Sequence, residues 1–527
     1  MSNGSPTSAP APQWKPSHNP MLIAASVMLA TFMEVLDTSV ANVSLPHIAG
    51  NLSASTDEAT WVLTSYLVAN AIILPATNYL SGLFGRKRFF IFCIGLFTLA
   101  SALCGAAQSL GLLVIARVLQ GAGGGALQPI SQAVMLESFP PQKRGQAMAI
   151  FAMGIIVAPI LGPTLGGWIT DNYSWRWVFY INLPVGILAM FMAHAVLEDP
   201  PFLRRVLLKN IDIAGFSFLA IWLATMQYVL DKGQEEDWFG SKLISLLVVI
   251  SALAFAAFVI REFTAEHPLV NLRVLKNRNF LAGVTLICVL GAILYGTTAT
   301  LPLFLQNLLG YTSLEAGLAL SPRGIAAFTA TIVVGRLMGK VNSRNIITFG
   351  FVLLALSSFT LSRLDLQIDY ANVLWPTILN GFAISCIFVP LTTVTMGTLR
   401  QDQLGNAAGI YNLLRNLGGS IGIAGLTTIL ARKSQSNQAQ MVDHFSALNS
   451  AYQQTLATTT NALSSHGDAV HAAQQALALI YNSLLRQAST LSYVYAFRLV
   501  GIICIVCLPL LLIFKKVRPA KPPAGAH

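Results

Sequence analysis

MLIAASVMLATFMEVLDTSVANVSLP, residues 21–46, decides how the rest of the chain is read. Apart from Glu34 and Asp37 it carries no charge, and it exceeds the roughly 20 apolar residues that carry a helix across a hydrocarbon core about 30 Å thick. Stretches of the same kind recur to the end of the chain. Fourteen spans are expected, at 22–44, 59–80, 89–108, 110–134, 145–169, 177–197, 212–230, 241–260, 280–305, 314–338, 346–362, 372–398, 406–430 and 492–514. Of the 527 residues, 54% are hydrophobic and 10% charged, with a mean hydropathy of +0.64. A soluble chain carries about 25% charged residues, so most of this surface does not face water. An all-α membrane protein follows.

The net charge of +11 does not point to nucleic acid, because the basic residues sit in short loops between apolar runs. One set of loops holds Arg86-Lys87-Arg88, Lys143-Arg144, Arg204, Arg205 and Lys209, Arg273, Lys276 and Arg278, Lys340 and Arg344, and Lys515, Lys516 and Arg518. The alternate set holds Asp57 and Glu58, Asp171, Glu235, Glu236 and Asp237, and Asp365 and Asp369. Loops rich in Lys and Arg stay inside, which predicts a cytoplasmic first set and both termini on that side. Residues 1–20, rich in Pro and Ser, read as disordered and lack the features of a signal peptide. The six cysteines lie in apolar runs; Cys504 and Cys507 read as small apolar residues of the last span rather than a redox pair. His444, His466 and His471 lack close spacing and read as solvated polar residues, not metal ligands.

An internal repeat orders the spans. NYLSGLFGRKR (78–88) is matched by GRLMGKVNSRN (335–345), and Leu45-Pro46 by Leu301-Pro302. Gln120-Gly121 is answered by Asn380-Gly381, and Gly145 and Gly162 by Gly405 and Gly422. Six spans repeat and the seventh and eighth have no counterpart, the pattern of a transporter with two related halves and an inserted pair. The expected divisions are an N-terminus at 1–21, a first bundle at 22–197, a linker with two extra spans at 198–279, a second bundle at 280–514 and a tail at 515–527. Residues 432–491 form a long periplasmic loop in which the spacing of Leu and Tyr predicts two short amphipathic helices.

Charges inside spans are costly and default to function. Glu34 and Asp37, three residues apart, share a helix face. Two carboxylates that close in a low-dielectric cavity are expected to include one that exchanges a proton near neutral pH, as proton coupling requires; a purely structural ion pair is the alternative. Arg117, within RVLQGAGGGALQP, is the natural partner for a first-span acid. Asn70, Gln120, Arg323, Asn412 and Arg415 are candidates to line the substrate cavity, whereas Arg336 is expected to reach the interface. In GIIVAPILGPTLGGWIT, Gly154, Ala158, Gly162 and Gly166 fall every four positions, a smooth face for close packing, while Pro159 and Pro163 permit a bend. Trp61, Trp168, Trp175, Trp177 and Trp238 fit interfacial anchors.

The chain resembles the fourteen-span drug:proton antiporters of the major facilitator superfamily, the EmrB/QacA type. LDTSVANVSLP (36–46), RVLQGAGGG (117–125) and GIIVAPILGPTLGG (154–167) resemble its first-, fourth- and fifth-span signatures, the last including Gly167. WRWVFYINLPVG (175–186) and LDKGQEEDWFGS (230–241) extend the match. The loop after the second span departs from the family's pattern. Asn78, Gly82 and Leu83 stand where a Gly, an Asp and an Arg are usual, while Gly85, Arg86, Lys87 and Arg88 remain. The resemblance implies two six-helix bundles working by alternating access in the bacterial inner membrane. It implies export of hydrophobic or amphipathic compounds driven by the proton gradient without a cofactor. It also implies a tripartite pump with a periplasmic membrane-fusion adaptor and an outer-membrane channel. Export of one specific metabolite is an alternative, and a channel or membrane-embedded enzyme is one from another class.

Overall fold

The computed structural model describes residues 16–201, 212–338, 340–366, 370–443, 445, 449–464 and 469–514, without the side chains of Thr56, Asp57, Pro141, Ile160, Pro163, Ser313, Leu314, Tyr370, Ala469 and Val470. The disorder expected at the N-terminus, the basic residues at 204–209 and 515–518, Asp369, His444, His466 and the Pro163 ring therefore lie largely or wholly outside the described residues.

Among the described residues there is no β-strand. A chain that crosses lipid must satisfy its backbone internally, and helices do so within each span. The first bundle comprises α1 (Pro20–Val43), α2 (Trp61–Phe84), α3 (Arg86–Ala106), α4 (Leu110–Ser138), α5 (Arg144–Asn172) and α6 (Trp177–Val196). Then come α7 (Ile213–Lys232) and α8 (Lys242–Thr264). The second bundle holds α9 (Arg278–Leu309), α10 (Ser313–Leu337), α11 (Ser343–Leu361), α12 (Tyr370–Gly397) and α13 (Leu404–Val442). The short α14 (Ser450–Ser464) leads into α15 (Ala469–Leu510). Among the described residues thirteen helices are long and apolar enough to span, and α5, bent by 41° between Pro159 and Thr164, makes fourteen. Polar residues set the ends: the Asn19 side chain accepts from Met21 N (2.9 Å) ahead of Pro20, and Thr312 with Glu315 forms a capping box on α10. Gly85, at φ +84°, makes the turn from α2 to α3 that L side chains resist.

The repeat is present in three dimensions. α1 packs on α5, α2 and α3 on α4, and α3 on α6; equivalently α9 packs on α13, α10 and α11 on α12, and α11 on α15. The halves meet where α5 lies on α10 and α2 on α13, a pair of contacts exchanged by the same symmetry. A Cβ at Gly121 would collide with the Tyr66 carbonyl on α2, and one at Gly381 with the Arg323 carbonyl on α10. Equivalent glycines thus allow equivalent close crossings. At the end carrying Arg86, called here the basic face, Gly145 abuts Met338 and Gly405 abuts Asn78, so the halves are in contact there. The inserted pair breaks the symmetry. α7 lies against both α2 and α13, and α8 packs mainly on α7. Ser420 Oγ donates to Gln227 Oε1 (2.9 Å), Trp238 Nε1 to Thr428 Oγ1 (3.1 Å), and Thr64 to Asp231.

Two expectations are corrected. Residues 432–491 are not a loop with two short helices: α13 runs on to Val442, α15 begins at Ala469, and among the described residues only α14 is separate. Hydropathy marks where lipid ends, but residues 432–442 and 469–491 carry no Gly or Pro and stay helical. Trp175 is not an interfacial anchor; it is 2% exposed and packs edge-on against Phe179.

Candidate transport site

The glycines of α4 place the polar core. Gly121 and Gly125 bring α4 against the α2 backbone at Tyr66 and Asn70, and Gly123 brings it against α3 at Phe97. At Gly124 a Cβ would stand 2.9 Å from the Tyr66 hydroxyl and 3.3 Å from Glu34 Cγ. This bare helix face lets side chains of α1, α2 and α4 meet.

Asp37 and Arg117, 1% and 0% exposed, form the centre. Arg117 Nη1 donates to Asp37 Oδ2 at 2.6 Å and to Gln120 Oε1 at 2.7 Å, and Nε donates to the Val62 carbonyl at 3.0 Å. Asp37 Oδ1 accepts from Gln120 Nε2 (2.8 Å) and Asn182 Nδ2 (2.6 Å). Asn182 also donates to Ser101, which donates to the Phe179 carbonyl. The Tyr66 ring lies 4.2 Å from the guanidinium carbon, a favourable cation–π position. Five helices, α1, α2, α3, α4 and α6, thus converge on one buried ion pair.

Glu34 shares the face of α1 but belongs to a second network. Its carboxylate accepts from Tyr66 Oη (3.0 Å), Asn70 Nδ2 (3.1 Å) and Gln128 Nε2 (2.6 Å). Gln128 Oε1 in turn accepts from Arg415 on α13, and Asn412 Nδ2 donates to Gln132 Oε1 at 2.6 Å. Glu34 is therefore linked through an amide to the other half of the molecule, and no hydrogen bond joins it to Asp37. Arg323 stays within the second bundle, donating from Nη1 to Thr298 Oγ1 at 2.9 Å.

In α5, Gly154, Gly162 and Gly166 face α1 at Met28, Ser39 and Val40, and Ser39 Oγ donates to the Pro159 carbonyl at 3.0 Å. Gly167 does not join them: a Cβ there would meet nothing within 4 Å. At the basic face Arg86 pairs with buried Glu137, and the Lys87 amide donates to Asp199 Oδ1 at 2.8 Å, whereas Arg88 is exposed. Glu137 and Asp199 hold this loop although position 82 is glycine. Arg336 and Arg498 are exposed. Sequence reasoning missed Tyr66, Gln128, Gln132, Glu137 and Asn182. Gln128 and Gln132, four apart on a membrane helix, were the available signal.

A model of the Major Facilitator Superfamily matches residues 27–423. The chain belongs to the major facilitator superfamily. Within it, the multidrug export protein EmrB of Escherichia coli strain K12 is 38% identical over 440 residues, 83% of this chain and 86% of that protein. The fatty acid resistance protein FarB of Neisseria gonorrhoeae is 35% identical over 510 residues, covering 96% and 97%. The colistin resistance protein EmrB of Acinetobacter baumannii is 30% identical over 498 residues, covering 94% and 96%. Among solved folds, the human organic anion transporter MFSD10 has a TM-score of 0.58 at 13% identity over 93% of this chain and 100% of its own. The xylose symporter XylE also has a TM-score of 0.58, at 14% identity over 94% and 95%; both bear on the fold alone. This EmrB-like facilitator is a transporter rather than an enzyme, and a multi-pass protein of the bacterial inner membrane.

Proposed function

We propose that the protein exports hydrophobic or amphipathic drug-like compounds against an inward flow of protons, with Asp37 as the proton-binding group and Arg117 as its counter-charge. The observation that carries this reading is the buried Arg117–Asp37 contact of 2.6 Å. A proton on Asp37 removes the charge that holds Arg117, so protonation and breaking of the ion pair become one event. Gln120 and Asn182 both aim donors at Asp37 Oδ1, so the proton goes to Oδ2, the oxygen that Arg117 holds, and α4 feels the loss of that contact. Small cross-helix changes of this kind become rocking of one bundle against the other when packed interfaces have two stable arrangements. Glu34 is the second proton-responsive group, tied to the other half through Gln128 and Arg415.

The basic face is taken as cytoplasmic from the distribution of Lys and Arg. Relatives named for multidrug export, fatty acid resistance and colistin resistance support a broad cargo over a single metabolite. On the far side, α13, α14 and α15 form the surface for a periplasmic adaptor that leads to an outer-membrane channel.

The test is drug efflux from proteoliposomes under an imposed pH gradient. Asp37→Asn is expected to abolish gradient-driven transport while keeping drug binding; wild-type, gradient-dependent efflux in that variant would overturn the assignment.

A further inference from the structure

We propose that Arg415 is a docking point for an anionic group, a carboxylate or its equivalent, on the transported compound. Arg415 sits on α13 of the second bundle, turned toward α4 of the first, and is 1% exposed. Its Nη2 donates to Gln128 and, at 3.4 Å, to Asn416. Among the described residues its Nε and Nη1 have no partner. Next to it the Gln132 amide spends its oxygen on Asn412 and leaves Nε2 without a partner. Three buried donor nitrogens therefore remain unmatched at the seam between the halves.

Among the described residues no carboxylate is in direct ion-pair contact with Arg415 either. Arg117 and Arg86, the other arginines buried in this part of the molecule, each touch a carboxylate, Asp37 and Glu137. For Arg415 the facing acid is Glu34, and the Gln128 amide stands between them, accepting from one and donating to the other. A buried guanidinium without a direct counter-ion is costly and is kept where it serves a function. The missing complement has defined chemistry: it accepts hydrogen bonds and carries negative charge, which guanidinium groups bind strongly. Arg323 does not compete for this role, since its contact to Thr298 lies inside the second bundle. Arg415 lies at a contact between the bundles, reaching Gln128 of α4 from α13. An amphiphile with one anionic group would take the two idle nitrogens while its apolar body stays against the helix faces.

The inference rests on the efflux reading, because it names the class of part of the cargo. It is tested without any gradient, so failure of coupling and failure of this site are distinguishable. Full-length protein in lipid nanodiscs is titrated calorimetrically with 2-naphthoate and with 2-naphthamide, which share one ring system, using empty nanodiscs as the partition blank. One or two charge-assisted hydrogen bonds correspond to a preference for the carboxylate of roughly tenfold to a hundredfold. Arg415→Gln is expected to bring the two ligands within about twofold, and Arg415→Lys to keep part of the preference. Equal binding of both ligands by the wild type overturns the proposal, whether or not the variants fold. So does an Arg415→Gln protein that still prefers naphthoate.

Discussion

Replacing Asp37 by Asn removes one of two charges that meet at 2.6 Å with neither side chain accessible. The carboxylate accepts three hydrogen bonds, from Arg117, Gln120 and Asn182. An amide offers one acceptor oxygen and turns its NH2 group toward at least one of those donors. Breaking a buried pair by removing one partner costs about 3–5 kcal/mol, a large share of the roughly 5–15 kcal/mol that holds a domain folded. Asp37→Leu, which likewise strands Arg117, and Arg117→Met, which strands Asp37, are the single changes of a cycle and should each cost a similar amount. The double variant Asp37→Leu/Arg117→Met removes both charges, and such replacements are near neutral or stabilising by about 1–4 kcal/mol. The two single changes then sum to roughly 6–10 kcal/mol against a double change near zero, a coupling far above the roughly 0.5 kcal/mol scatter of independent sites. The assay is denaturant-induced unfolding of the four purified proteins in one detergent, followed by tryptophan fluorescence. Efflux should be lost in all three variants, so stability alone reports the pair. A double variant that loses the sum of the single losses would refute the account, because Asp37 and Arg117 would then be acting independently.

Two further outcomes are expected. Gly381→Val should drive a side chain into the Arg323 carbonyl and part α12 from α10, costing about 1–3 kcal/mol or more, whereas Gly167→Ala, which meets nothing within 4 Å, should be silent; yield and melting of the monodisperse peak decide, and equal behaviour of the two would contradict the close crossing. Replacing α14 by a Gly/Ser linker should leave pH-driven efflux in proteoliposomes within about twofold of wild type, because α14 has no buried residue and packs on α15 outside the bundle core. Recovery of the periplasmic adaptor by affinity pull-down should fall, and unchanged recovery would detach the docking role from this helix.

Fold class was legible because lipid imposes one rule on every span: about 20 apolar residues with the backbone bonded internally. The repeat was legible at Gly121 and Gly381 because close helix crossings tolerate no side chain, and that constraint recurs in both halves. The site was legible in part. Asp37 and Arg117 announced themselves as charges in apolar surroundings. Tyr66, Asn182, Gln128 and Gln132 did not, since neutral polar residues are common in membrane helices and their meaning lies in what they face. The separation of Glu34 from Asp37 was hidden for the same reason. Helical spacing put them on one face of α1, and only the neighbours supplied by α2, α4 and α6 divided them between two networks. The helices expected beyond Arg432 were read as short and separate, and the continuity of α13 and α15 with their spans was missed, because hydropathy reports the solvent around a helix and not its length.

That length carries a mechanical consequence. α13 and α15 are unbroken helices of 39 and 42 residues, and at 1.5 Å per residue each is about 60 Å long, twice the thickness of the hydrocarbon core. Their outer segments are levers rigidly joined to the second bundle. A rocking of roughly 10° about the middle of the bilayer would sweep a tip about 45 Å away through about 8 Å. A partner gripping that tip would receive each turnover of the transporter as a stroke.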